Sequence, residues 1–200
     1  MGDGHACDHS LAHDRRILWI VLALNFSMFV LEIWQGLQAD STSLIADSMD
    51  FLSDSFSYII TLYVLTKSLR MRAHASLIKA SLMLLLAAGA LGQGTWNLVH
   101  EQTPDPVTMG WVGALALVVN LISAALLFGS RNRDSNMQSV WLCSRNDAIA
   151  NILILIAAVL VYASGTLWPD LIVALVITGL EGSSALKIIS QAKGELRDGK

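Results

Sequence analysis

Residues 107–128 read VTMGWVGALALVVNLISAALLF. No charge interrupts this stretch. At about 1.5 Å per residue, a helix of that length covers the roughly 30 Å hydrocarbon core of a bilayer. A helix that is apolar on all sides is a membrane span or the core of a large protein. Five further apolar stretches follow the same rule, giving spans at 17–36, 41–66, 77–99, 107–129, 137–163 and 168–189. The fold class that follows is all-α: a polytopic membrane protein of six transmembrane helices.

Composition agrees. The 200 residues are 54% hydrophobic and only 14% charged, against the about 25% charge of a soluble domain. Three prolines and the lack of a glycine period exclude collagen-like and low-complexity chains. Two cysteines, Cys7 and Cys143, cannot build a disulfide framework. A net charge of −3 with no basic block excludes nucleic acid as a partner; the expected partner is the lipid bilayer. The chain divides into a tail at 1–16, a six-helix membrane domain at 17–189 and a short tail at 190–200.

The basic residues fix the expected topology. All 13 Lys and Arg fall in the two tails, in the second and fourth connections, or at the helix ends beside them. The first, third and fifth connections carry Asp40, Glu101 and Asp105 instead. Positive loops stay on the cytoplasmic side, so both termini are expected in the cytoplasm. The segment 1–16 lacks a cleavable signal pattern, so the first span is expected to be retained. The expected location is the bacterial inner membrane.

The second span departs from plain hydrophobicity. Its core, SLIADSMDFLSDSFSYII at 43–60, places Asp47, Asp50 and Asp54 at i, i+3 and i+7, on one helical face with Ser43, Ser57 and Thr61. A carboxylate at the bilayer centre costs about 2.5–3.5 kcal/mol on insertion scales. Such a stripe faces protein, water, protons or a cation. The fifth span holds Cys143, Asp147 and Asn151 at i, i+4 and i+8, again on one face. Asp54 lies 13 residues from Lys67 and Asp147 lies 14 from Arg133, so the two come out level; Asp50 and Cys143 fall within about a turn of that level. Four candidate metal ligands, Asp50, Asp54, Asp147 and Cys143, thus converge near the midplane, where many secondary transporters hold their ions. Carboxylates and a thiolate suit a tetrahedral Zn²⁺-like ion. Because each must shed its proton to bind, metal and protons compete. The structural alternatives are that the acids join helices or pair with Arg145, and that Cys143 simply packs.

In these segments the chain resembles the cation diffusion facilitator family of metal/proton antiporters. SLIADSMDFLSD matches the family's second-span H-x-x-x-D or D-x-x-x-D pair through Asp50 and Asp54. NMQSVWLCSRNDAIANI matches the fifth-span H-x-x-x-D, with Cys143 at the His position and Asp147 at the Asp. The resemblance implies six spans, cytoplasmic termini, a homodimer, and a tetrahedral zinc-type site between spans two and five. It also implies efflux of a divalent metal as substrate (Zn first, then Cd, Co and Fe) with protons as counter-ion. Two departures from the family pattern stand out. The sequence stops where the family's cytoplasmic C-terminal domain begins, so a short form is expected. Cys143 replaces His, which favours softer ions, and Arg145 stands nearby, expected to snorkel to the interface.

Secondary features remain open between function and packing. Asn25 and Glu32 share a face of the first span; with Asp47, Asn151 and Arg145 they are candidates for a pathway or secondary site. Asn120 and Ser123 in the fourth span, and Asp170 and Glu181 in the sixth, either line an aqueous route or satisfy one another between helices. Asp170 follows Trp168-Pro169, where its own helix start welcomes an acid. In the tail, His5, Cys7, His9 and His13 either collect metal at the cytoplasmic mouth or belong to a solvated segment. Two rival functions stand beside transport: a Mg-dependent CDP-alcohol phosphatidyltransferase-like enzyme, whose motif lacks its Gly and Arg here, and a transport-inactive paralogue in which Arg145 pairs with the acids. The expectation is a transporter, not an enzyme.

Overall fold

A computed structural model describes residues 3–63, 69–129 and 135–198, with side chains from residue 15 onward except 64–73, 75, 79, 130–140, 142, 195 and 198. Six helices account for nearly all of it: α1 (Asp3–Gln38), α2 (Thr42–Tyr63), α3 (Leu69–Val99), α4 (Pro106–Phe128), α5 (Ser135–Ser164) and α6 (Trp168–Asp198). The helices outrun the expected spans: α1 starts before residue 17, α3 before 77, and α6 continues beyond 189. Hydropathy marks what oil covers; a helix ends where its backbone hydrogen bonds end, which is further out. His5, Cys7, His9 and His13 sit on the first turns of α1, and their side chains lie outside the described residues.

Five of these helices are long and apolar enough to cross a membrane. The exception is α2, because it carries Asp47, Asp50 and Asp54. The fold answers by wrapping the others around it. α2 touches each of the other five helices, and residues 41–51 are buried without a break. Its Leu44, Ile45, Met49 and Phe51 interlock with alanines of the neighbours: Ala87 and Ala90 of α3, Ala116 of α4, Ala157 and Ala158 of α5, Ala174 of α6. Small side chains let helix backbones approach closely where lipid supplies no hydrophobic drive between them. Large apolar residues such as Leu85, Val118, Val159 and Leu180 point outward, as lipid-facing positions do. Trp19, Trp34, Trp96, Trp111 and Trp168 are also exposed, in keeping with an interfacial belt.

The end of the bundle that carries no Lys or Arg is closed by three tight connections. α1 and α3 each stop on a residue in the left-handed region, Asp40 and Glu101, both with φ 52°. Ser41 N–H then returns to Gly36 O at 3.0 Å, and Gln102 N–H to Asn97 O at 2.9 Å, the long bond of a Schellman cap. After α5 the left-handed position goes to Gly165, φ 64°. The loops are also tied to each other. Asp105 N–H donates to Ala39 O at 3.0 Å, and Asn97 Nδ2 donates to Asp40 O at 2.5 Å. Asp105 caps α4, accepting from Val107 N–H at 3.2 Å and Thr108 N–H at 3.1 Å. The Thr108 hydroxyl, and then these amides, hold its carboxyl below the usual carboxylate range.

Asp170 does more than its sequence position suggests. It lies in the first turn of α6, but its carboxylate also serves the start of α2. It accepts from Thr42 N–H at 2.7 Å, Ser43 N–H at 3.1 Å, Ser41 Oγ at 2.8 Å and Ser43 Oγ at 2.5 Å. One helix thus supplies another's N-cap, satisfying amides that would otherwise be orphaned in a buried setting.

Candidate functional site

The acidic stripe of α2 becomes three contacts. Each of its carboxyls faces a carboxyl from a different helix. Asp47 meets Glu32 of α1, Asp50 meets Glu181 of α6, and Asp54 meets Asp147 of α5. The spacing i, i+3, i+7 explains the fan. A step of three residues falls just short of a full helical turn, and a step of four just passes it. The three acids therefore stay on one face while splaying towards successive neighbours. Asp47, Asp50 and Asp54 are 0%, 7% and 5% exposed, and Glu32 is 0% exposed.

Asp50, Asp147 and Asp54 form the lower part of this arrangement, towards the α2 C-terminus. Asp50 has Asp147 as an electrostatic neighbour besides Glu181. Asp147, half-buried on α5, has Glu181 and Asp47 as neighbours besides Asp54. Tyr58, one turn below Asp54, is fully buried. Its hydroxyl lies 3.2 Å from Asp54 Oδ2 and 3.0 Å from Ser144 Oγ of α5. The Tyr58–Ser144 contact bolts α2 to α5 directly beneath the Asp54–Asp147 contact.

Asp47 belongs to an upper, amide-lined part. Asn151 Nδ2 donates to Asp47 Oδ2 at 2.5 Å, and Asn120 Nδ2 of α4 donates to Asn151 Oδ1 at 2.9 Å. Asn25 of α1 is separate: its Nδ2 donates to Val21 O at 2.8 Å and to Ser123 Oγ at 3.4 Å, a helix-to-helix tie between α1 and α4.

The remaining sequence-derived residues fall as follows. Cys143, one turn from Asp147, is exposed on α5. Among the described residues, no three His, Cys, Asp or Glu side chains close on one point as a finished metal cage; the acids stand as adjoining pairs. Arg145 is exposed. Its guanidinium donates to Asn146 Oδ1 at 3.1 Å and lies 5.4 Å from the centre of the Trp141 ring, an aromatic rather than a carboxylate setting. Sequence reading did not pair Glu32 with Asp47, place Glu181 against Asp50, or assign Tyr58 and Ser144 to the site. Glu32 and Glu181 each carried a signal, an acid inside an otherwise apolar span.

The family model for the cation efflux transmembrane domain matches residues 18–196, from the first turns of the α1 span to the end of α6. The chain belongs to the cation efflux family. That membership sets aside the phosphatidyltransferase reading, since the family is one of transporters. Curated relatives are distant. The cadmium, cobalt and zinc/H(+)-K(+) antiporter of Bacillus subtilis (strain 168) is 20% identical over 210 aligned residues, covering 98% of this chain and 67% of that protein. Its counterpart in Bacillus velezensis is 21% identical over 183, covering 84% and 58%. The zinc transporter ZitB of Escherichia coli (strain K12) is 23% identical over 218, covering 98% and 68%. The chain therefore spans about three-fifths to two-thirds of the length of these relatives.

Proposed function

We propose that this member of the cation efflux family carries a divalent transition-metal ion, zinc first, out of the cytoplasm in exchange for protons. The ion is held between α2 and α5 by Asp54, Asp50 and Asp147. The observation that carries this reading is the Asp54–Asp147 contact: two carboxyls from different helices face each other inside a membrane protein, with the Tyr58 hydroxyl beside Asp54. Two carboxylates in contact repel strongly in a poorly screened interior. A divalent cation between them, or a proton on one of them, relieves that repulsion, so the two compete for the same oxygens. Exchange of metal for protons is the outcome of that competition. The relatives named for cadmium, cobalt and zinc support the same ion class. Cys143 joins as a ligand only if α5 turns its exposed face inward during the cycle. The reading includes cytoplasmic termini in an inner membrane, where the Lys- and Arg-bearing loops remain, and assembly as a homodimer.

The test is zinc flux into proteoliposomes loaded with a zinc-sensitive dye under an imposed pH gradient. The unmodified protein is expected to drive flux that collapses when the gradient is removed. Asp54→Asn, which keeps shape but discards charge, is expected to abolish it. Zinc flux that survives in Asp54→Asn would overturn the site, and flux indifferent to the gradient would overturn proton exchange.

A further inference from the structure

Glu32 is completely buried, yet among the described residues no hydrogen-bond donor reaches either of its carboxyl oxygens. Asp47 faces it from α2, equally buried, and Asp47 Oδ1 also lacks a donor. The nearby amides do not help Glu32. Asn120 donates to Asn151 and Asn151 donates to Asp47 Oδ2, so this relay of N–H groups ends on Asp47. What remains between Glu32 and Asp47 is a contact of acceptor against acceptor. A buried polar group without a partner destabilises the fold, and more so when charged. The contact is stable only with something electropositive inside it.

We propose that Glu32 and Asp47 form a proton-binding site separate from the metal ligands, holding one proton between their carboxyls and supplying it as counter-ion for metal transport. The proposal rests on the transport reading above and adds to it a second place where protons travel. A proton fits better than a metal cation. The pair offers three donor-free oxygens, fewer than the four ligands of a tetrahedral zinc site and far fewer than the about 6–8 of a hard cation such as Ca²⁺. The next donor-free oxygen on α1, Asn25 Oδ1, is two turns away, about 10 Å.

The charged groups around the pair make its proton responsive to metal. On α6 Glu181 acts on Asp47, and on α5 Asp147 does so. α4 has no charged residue, and α3 has none between Lys79 and Val99. Every charged group facing the pair among the described residues is therefore an acid. A divalent ion arriving at Asp50, Asp54 and Asp147 reverses that field from one to two turns away. The pair then passes from one proton and a net charge of −1 to no proton and −2, and the released proton leaves as the metal's two positive charges enter.

Calorimetry of zinc binding to the purified chain, in two buffers of different ionisation enthalpy, counts the protons released per zinc. Glu32→Gln is expected to release one fewer than the unmodified protein. In proteoliposomes it is expected to lose pH-driven zinc uptake while keeping zinc-for-zinc exchange, a split that a packing defect would not produce. Protonated carboxyls give infrared bands in the metal-free protein; Glu32→Gln is expected to lose the component that belongs to the pair while any component from Asp54 and Asp147 stays, and Glu32→Asp is expected to restore the lost component. Should Glu32→Gln fail to fold, Asp47→Asn gives the same three readings. An unchanged proton count together with an unchanged band overturns the pair. So does an uptake that depends on Glu32 but follows K⁺ or Na⁺ rather than pH. If the unmodified protein moves no zinc, the transport reading falls, and the infrared band still decides whether Glu32 and Asp47 share a proton.

Discussion

Asp170 illustrates how one side chain can hold a membrane bundle together. Its carboxylate collects two amides and two hydroxyls from 41–43, and it is 2% exposed. Replacing it strands all four donors away from water. Asp170→Ala is expected to lower stability by about 3 kcal/mol, and Asp170→Asn, which keeps one acceptor oxygen, by less. Thermal unfolding of the purified protein in detergent checks both. The sequence announced an acid at a helix start but not whose helix it serves. Trp168-Pro169-Asp170 is a good opening for α6, and nothing in that string points 129 residues back to Ser41. The same limit hid the partners of Asp50 and Asp47. Periodicity within a helix reports which side chains share a face, and which helix stands opposite is decided by packing.

Between helices, close approach depends on residues with nothing to protrude. At Gly36 an added Cβ would lie 2.9 Å from Ile45 Cγ1, 3.1 Å from Ile45 N and 3.2 Å from Leu44 Cβ. One of these is backbone, so the end of α1 would have to move off α2. Gly36→Ala is expected to cost about 1–3 kcal/mol, as overpacking does. Gly179 on α6 meets nothing within 4 Å. There Gly179→Ala is expected to be neutral or to stabilise by up to about 1 kcal/mol, the helix-propensity difference. Comparing the two melting temperatures separates close packing from propensity. At this scale the sequence was informative. All six helices lie where the apolar runs placed them, because span length is dictated by bilayer thickness. Their ends were less legible, since charged flanks such as 190–198 continue a helix that the hydropathy pattern has already abandoned.

Taken as a whole, the protein encloses acids whose repulsion works against its own compactness. A cargo ion that relieves this repulsion should bind the folded state and not the unfolded one, and so raise stability by mass action, about 2.7 kcal/mol at a hundred times its dissociation constant. Zinc is therefore expected to raise the melting temperature of the unmodified protein and to leave that of Asp54→Asn unmoved, read in a thermal-shift series across zinc concentration. The family, the membrane class and the acids of α2 and α5 were all legible from residue types and spacing. The sorting of the acids into adjoining pairs, Glu32 with Asp47, Asp50 with Glu181 and Asp54 with Asp147, was not, because it depends on how α1, α5 and α6 close around α2.

That enclosure bears on how the chain is made. α2 is the helix least able to partition into lipid unaided, and it follows α1 out of the ribosome after only three residues. The helix that precedes it carries the acid that Asp47 meets. The two are suited to leave the translocon as a hairpin, with α2 sheltered against α1 until the later helices arrive to surround it.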